Sequence, residues 1–264
     1  MIHIYGLNIA QLPDRRAMLS LLERYFCVPR RERRRSARDD RAARASLAGL
    51  SLLRCAGLSG TILYDKNGRP YLEGSDVDFN ITHTDQQVFC AVATHGDAMA
   101  RTGAETGANA ETRLASDAEV LRGSYPSQTV SGARKKSLFV GMPRVGLDAE
   151  NLARIATVRV CPLADRWFSE RELDFFLSDP TDRTFLRVWT RKEALVKWTG
   201  EGLSGLREAD TVAAESVYGV RFYEYRVEDT LLSLCTHEDT PPPSGIRMLS
   251  DPEVEDLFRS EEML

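Results

Sequence analysis

The sequence predicts a mixed α+β protein, and three observations carry that prediction. Segments with apolar residues at helical spacing alternate with short segments that read as strands. Turn signals such as Asn67-Gly68 and the tight link at Thr84-Asp85 join strands locally. The order of elements also partly repeats. A helix ending near Arg54 leads through Ile81-Thr82-His83-Thr84-Asp85 into Val88-Phe89-Cys90, and one ending near Trp198 leads through Tyr225-Arg226-Val227-Glu228-Asp229 into Leu231-Leu232-Ser233. From Arg54 to Asp85 is 31 residues, and from Lys197 to Asp229 is 32. Two similar α+β halves account for that spacing, and so does the general frequency of hairpins after helices.

Taken in order, residues 2–7 alternate loosely and read as a strand. Residues 15–26 carry apolar side chains at 18, 19, 21, 22, 25 and 26, a helical spacing, and Pro29 ends that helix or starts the next. Residues 38–55 read as an amphipathic helix with Ala43, Leu47, Leu50 and Leu53 on one face and Gly57 just past its end. A short strand at 61–64 precedes the Asp65-Lys66-Asn67-Gly68 turn, and 79–82 and 87–94 read as paired strands. Residues 96–136 break the pattern: Gly, Ala, Ser and Thr fill 21 of these 41 positions. Too little apolar surface is available there to offset the ordering entropy, so the segment reads as a flexible linker or insertion with a short helix near 114–122. Beyond it, 138–140 and 145–150 read as strands, 165–177 and 184–199 as helices, and 220–227 with 231–236 as a hairpin. The expected division is an N-terminal half at 1–95, the linker at 96–136, a C-terminal half at 137–240 and a peripheral tail at 241–264.

Composition removes several classes. With 264 residues, 42% of them apolar, the chain is long enough for a substantial core. No apolar run approaches the length of a membrane span, and residues 1–11 lack the pattern of a signal peptide. Cysteines 27, 55, 90, 161 and 235 form no CxxC pair, which argues against a disulfide framework or zinc site and makes a reducing cytoplasm the expected location. Of the 35 basic residues only five are Lys (66, 135, 136, 192 and 197). Residues 30–44 hold eight Arg and three acids, a net +5 in a chain of net −4. One concentrated basic stretch in an acidic chain points to a localised anion site rather than a nucleic-acid surface.

Three segments carry side chains suited to chemistry. On a strand, Val145-Gly146-Leu147-Asp148-Ala149-Glu150 puts Gly146, Asp148 and Glu150 on one face. Two carboxylates beside a Gly that admits a ligand form part of a site for a hard cation such as Mg²⁺; a solvated strand end is the plainer alternative. On the helix Trp189-Thr190-Arg191-Lys192-Glu193-Ala194-Leu195-Val196-Lys197, Glu193 and Lys197 are neighbours one turn apart, with Trp189 on the same stripe. A surface ion pair is the bland reading of them, and the Trp argues against a purely solvated face. Lys192 sits at the centre of the apolar arc formed by 185, 188, 189, 195 and 196, where an ammonium is costly unless it meets an anion or reaches water. His83, flanked by Thr82 and Thr84, and Gly68-Arg69-Pro70 are candidate phosphate contacts. So is the Arg cluster at 30–35, which otherwise reads as a solvated helix face.

In order and spacing these motifs resemble the 4′-phosphopantetheinyl transferases. The resemblance rests on Gly68-Arg69-Pro70, Phe79-Asn80-Ile81-Thr82-His83, Val145 to Glu150, Trp167-Phe168-Ser169 with Glu170 and Glu172, and Trp189 to Lys197 with Gly200-Glu201-Gly202-Leu203. The 45 residues from Asp148 to Glu193 strengthen it. It covers roughly 30–235 and is to the larger, monomeric type that serves peptide and polyketide synthetases in secondary metabolism. It implies two similar α+β halves in a pseudo-twofold fold, with the coenzyme A nucleotide on the N-terminal half and the metal and catalytic helix on the C-terminal half. It also implies Mg²⁺-dependent transfer of phosphopantetheine from coenzyme A to a serine of an apo acyl or peptidyl carrier protein, releasing 3′,5′-ADP, as a holo-[acyl-carrier-protein] synthase does.

By that resemblance Asp148, Glu150 and Glu193 hold Mg²⁺, Glu193 is the general base, and Lys197 neutralises or protonates the leaving phosphate. Thr82, His83, Asp148, Lys197 and the Arg69-Pro70 turn line the coenzyme A site, and Arg33, aided by Arg30 or Arg35, grips the 3′-phosphate. Nucleic acid and membrane are not expected as partners. The chain departs from the family pattern at Ala149, where Ile or a larger residue is usual, and at Arg69, where Lys is. It departs again in the 65 residues separating His83 from Asp148. An inactive module that binds carrier protein or nucleotide is the alternative from another class, and retention of Asp148, Glu150, Glu193 and Lys197 argues against it.

Overall fold

A computed structural model describes residues 1–27, 41–94, 143–156, 158–237, 239–240 and 242–259. The expected linker at 96–136, the strand at 138–140 and the Arg30–Arg35 cluster, Arg33 included, lie outside these residues.

The fold is mixed α+β. Strand β1 (Ile2–Asn8) is followed by α1 (Arg15–Tyr25), whose first turn is capped by the Asp14 carboxylate accepting from the Ala17 N–H. A short β2 (Phe26–Cys27) precedes α2 (Arg41–Ser51), which tightens into a 3₁₀ turn (Leu52–Ala56) and stops at Gly57, where φ is +72°. Then come β3 (Gly60–Tyr64), β4 (Pro70–Leu72), β5 (Asp78–His83) and β6 (Gln87–Ala93). After the undescribed stretch, β7 (Val145–Asn151) leads through α3 (Leu152–Ile155), α4 (Val160–Trp167) and α5 (Glu170–Ser178) to the long α6 (Asp182–Thr199). The chain closes with α7 (Ala214–Tyr218), the hairpin β8 (Val220–Val227) and β9 (Thr230–His237), β10 (Ile246–Met248) and α8 (Asp251–Phe258).

The helix expected at 165–177 is two helices. Ser169 and Glu172 form a capping box that starts α5 afresh, so the chain breaks at Phe168 rather than running through it. The tail is not peripheral. β10 pairs in parallel with the otherwise open edge of β1, burying Ile246, and Leu249 and Val254 are buried against Leu7, Met18 and their neighbours. Strand β4, opposite β3 across the Asp65–Gly68 turn, was not foreseen: it is three residues long and begins at a proline.

Two sheets position the site. One runs β10-β1-β6-β5 and the other β7-β9-β8, the first parallel only between β10 and β1. A shared core joins them: Ile2, Ile4, Phe89 and Ala91 pack with Val145, Leu147, Ala149, Leu232 and Leu234. Alternation along β7 therefore sends its apolar side chains into that core and Gly146 and Asp148 the other way, towards α6. Contrary to the sequence reading, Gly146 does not admit a ligand. A Cβ there would stand 2.0 Å from the Ala194 carbonyl oxygen and 2.6 Å from the Trp198 nitrogen, so the glycine admits the backbone of α6 itself.

Polar groups bind α6 to the same sheet. Thr190 meets Ser233 at 2.7 Å, and Arg191 and Arg187 both reach the buried Glu224, at 2.5 and 2.7 Å. On another side of the helix the ammonium of Lys192, fully buried, pairs with the equally buried Glu172 at 2.7 Å and donates to the Ala209 carbonyl. The other Glu172 oxygen accepts from the Thr211 N–H and hydroxyl. The anion that Lys192 requires is thus an internal carboxylate.

Candidate active site

Edge strand β5 of the first sheet meets edge strand β7 of the second. They are joined by side chains in place of a backbone ladder. Asp78, Asn80 and Thr82 recur with the strand's period of two and point at β7. The Asp78 carboxylate accepts from the Val145 N–H at 2.8 Å, and the Asn80 amide oxygen accepts from the Leu147 N–H at 2.9 Å. The Thr82 hydroxyl donates to Asp148 Oδ1 at 3.3 Å. Donors on the open edge of β7 are satisfied in this way, and the backbone around Asp148 is held on both sides.

Above that junction lies the last turn of α6. Lys197 Nζ has three protons and makes three contacts: Asp148 Oδ1 at 2.6 Å, the Leu147 carbonyl at 3.0 Å and the Thr82 hydroxyl at 3.3 Å. In place of the surface pair with Glu193 that was the blander alternative, Lys197 pairs with Asp148, whose side chain is 5% exposed. Burial pushes the Glu193 carboxyl up to about 7, with the neighbouring charges of Asp148 and Glu150 adding to it; Lys197 and a hydrogen bond from Trp189 oppose the rise. Glu150 is raised as well, by burial and then by Asp148. At the end of β5, His83 is lowered, first by lost hydration of its ring and then by the Lys197 charge. A neutral imidazole there is a hydrogen-bond partner, not a fixed cation.

A cleft of about 300 Å³ opens beside this cluster. Its walls bring together segments far apart in sequence: Gly68, Arg69 and Pro70 from the β3–β4 turn, Asn80 and Ile81 from β5, and Glu193, Val196 and Lys197 from α6. Asn67 Nδ2 donates to the Gly200 carbonyl at 2.6 Å and closes one end.

Residues 144–239 match the model of the 4′-phosphopantetheinyl transferase superfamily. No curated protein matches the chain. The matched segment supplies Asp148, Glu150, Glu193 and Lys197. The opposite wall, with Arg69, Pro70 and Asn80, lies outside it, as do Thr82 and His83.

The carboxylates suit a hard divalent cation by two observations. Asp148 Oδ2 is buried without a hydrogen-bond partner, an exceptional state for a carboxylate oxygen. Glu150 and Glu193 are raised first by burial and then by the Asp148 charge, so the addition of a cation would favour both carboxylates. An all-oxygen donor set is what Mg²⁺ takes. Among the described residues, however, no three His, Cys, Asp or Glu side chains are gathered closely enough to hold a metal as they stand.

Of the residues singled out in the sequence, the structure gathers Thr82, Asp148 and Lys197 in direct contact, with Glu193 and Glu150 near enough to feel their charges. Lys192 is not among them: it is locked to Glu172 on another side of α6. Asp78, Asn80 and Arg144 belong to the junction and were missed. The polar alternation of Asp78-Phe79-Asn80-Ile81-Thr82 in a strand with buried members was the available signal for the first two.

Proposed function

We propose that the chain is a 4′-phosphopantetheinyl transferase of the larger, monomeric type. It moves the phosphopantetheine group of coenzyme A onto a serine hydroxyl of an acyl or peptidyl carrier protein. The observation that carries this reading is the cleft that joins Glu193 and Lys197 of the superfamily-matched segment to the Gly68-Arg69-Pro70 turn and β5. On the same reading the strand order β1-β6-β5 within the first sheet, which β10 extends, corresponds to β7-β9-β8 in the second, and the two are the halves of a pseudo-twofold fold.

The chemistry asked of these residues is ordinary phosphoryl transfer. The serine oxygen bonds to the phosphorus that carries pantetheine, and the bond from that phosphorus to the bridging oxygen breaks. The electron pair leaves with 3′,5′-ADP. Glu193, directly or through a water, takes the serine proton; a carboxyl near 7 accepts it readily at neutral pH. Lys197 offsets the charge on the leaving phosphate, exchanging for it the longest of its three contacts, that to Thr82. Asp148, Glu150 and Glu193 would hold Mg²⁺, which when bound supplies positive charge against the pyrophosphate. Thr82 and His83 stand at the β5 end of the cluster; on this reading they contact phosphate oxygens, the Thr82 hydroxyl exchanging its present acceptor, Asp148 Oδ1, for one of them, and Pro70 stiffens the turn that forms the cleft wall.

The test is direct. The protein is incubated with coenzyme A, Mg²⁺ and a panel of apo carrier proteins, and each carrier's intact mass is followed. Gain of one phosphopantetheine group on the carrier serine is expected, abolished by chelation and restored by Mg²⁺. No gain on any carrier of either the acyl or the peptidyl type refutes the proposal.

A further inference from the structure

Arg69 has its guanidinium engaged where a free phosphate ligand was expected. Its side chain is 9% exposed. Nη2 donates to Asp78 Oδ2 at 2.6 Å, the Val145 carbonyl at 2.8 Å and the Phe79 carbonyl at 3.4 Å, while Nη1 donates to the Lys197 carbonyl. The same Asp78 oxygen accepts the Val145 N–H. One side chain therefore ties β5, β7 and the last turn of α6 together.

That turn needs such partners. An α-helix leaves its last carbonyls without intrahelical donors, and positive charge is favourable there. Arg69 serves the carbonyl of Lys197, Arg144 Nε that of Trp198, and Asn67 that of Gly200. Arginine suits position 69 better than lysine would: Nη1 and Nη2, held apart in one plane, reach four acceptors on three elements, whereas an ammonium offers three N–H groups from a single atom.

We infer that Arg69, buttressed by Asp78, is a positioning residue: it fixes the end of α6 to the edge of β7 and so sets Lys197 Nζ against Asp148 and Thr82. The kinetic part of the inference rests on the transferase reading; the structural part does not.

Two measurements on Arg69→Lys, Asp78→Asn and the double variant decide it. The first is urea unfolding of the four proteins of the cycle, without ligand. The double variant is expected to lose less stability than the two single losses added, because both singles break one shared contact. Strict additivity overturns the clamp, whatever the protein's activity. The second is steady-state transfer. Each single variant is expected to lower kcat on the order of 10- to 100-fold, as small misplacements of catalytic groups do, with KM for coenzyme A little changed. Asp78→Asn is the sharper probe, since a carboxylate does not attract an anionic substrate. A raised KM in Arg69→Lys with kcat kept, together with a wild-type or lower KM in Asp78→Asn, makes Arg69 a direct ligand and overturns the positioning role. Should Asp78→Asn fail to fold, Asp78→Glu keeps the charge but displaces it by one methylene and is read in the same way.

Discussion

Glu193 is held in a state that costs the fold stability, and this is measurable without substrate. Its carboxyl ordinarily loses its proton near 4.5 and here does so near 7, chiefly through burial and the Asp148 charge. Between those values the folded protein binds a proton that the unfolded chain does not. Stability therefore falls as pH rises through that window and stays lower above it. At about 1.4 kcal/mol per pH unit, the whole displacement is worth roughly 3–4 kcal/mol at pH 8. Glu193→Gln keeps the shape and an acceptor for the Trp189 N–H but has no charge to bury. In metal-free protein the variant should melt above wild type at pH 8, by roughly 6–16 °C for a chain of this size. At pH 4 the difference should vanish, because wild-type Glu193 is then protonated folded and largely so unfolded. The assay is paired thermal unfolding in chelator at both pH values. A variant no more stable than wild type at pH 8, or a gain that persists undiminished at pH 4, refutes the argument. The same variant should lose transfer activity, stability being gained where function is lost.

Three further outcomes follow from the contacts. Lys197→Met removes the cation from a nearly buried Asp148; urea unfolding at pH 7 should show a loss of roughly 1–3 kcal/mol, discounted for the partial exposure of the lysine, and transfer should be abolished. Lys192→Met strands Glu172 in the core and should cost about 3–5 kcal/mol in the same assay, yet the folded fraction should bind coenzyme A with wild-type affinity in calorimetric titration, because this lysine faces away from the cleft. Gly146→Ala drives a methyl into the backbone of α6; a loss of at least about 1–3 kcal/mol is expected by urea unfolding, and a wild-type midpoint would mean that β7 and α6 are not packed so closely.

Local features of the fold were legible where one segment's own pattern decides them. The spacing of Met18, Leu21 and Leu22 marks α1, and the β8–β9 hairpin lies where 220–227 and 231–236 placed it. Period-two alternation along β7 correctly separated Val145, Leu147 and Ala149 from Gly146 and Asp148. Failures came where a partner decides. The break at Phe168 was signalled by Ser169 and Glu172, but a run of apolar residues on both sides hid it. Ile246 is buried only because β1 has an open edge for it, and nothing in a Pro-rich tail announces that. Lys192 looked chemical because an ammonium on an apolar arc demands an anion; the demand was read correctly and the anion was an internal carboxylate 20 residues earlier in the chain.

The candidate site shows the same division more sharply. Asp148, Glu193 and Lys197 can be picked out by residue type and spacing, yet what holds them cannot, because it arrives from the other sheet. The superfamily match ends where that support begins: residues 144–239 contain the carboxylates and the lysine but neither Asp78, Asn80 and Thr82 nor Arg69. Without β1, β5, β6 and the β3–β4 turn, the N–H groups of Val145 and Leu147 would lose their acceptors, the Lys197 carbonyl its Arg69 donor, and Lys197 Nζ one of its three contacts. The apolar face of β7 would also lose Ile2, Ile4 and Phe89. Reactive groups that are costly to bury, with an orphaned Asp148 oxygen and a carboxyl raised to about 7, persist only where the surroundings over-determine their geometry. Here those surroundings are the neighbouring sheet edge, so the unit that carries the chemistry is the junction of β5, β7 and α6 and not the segment that holds its acids.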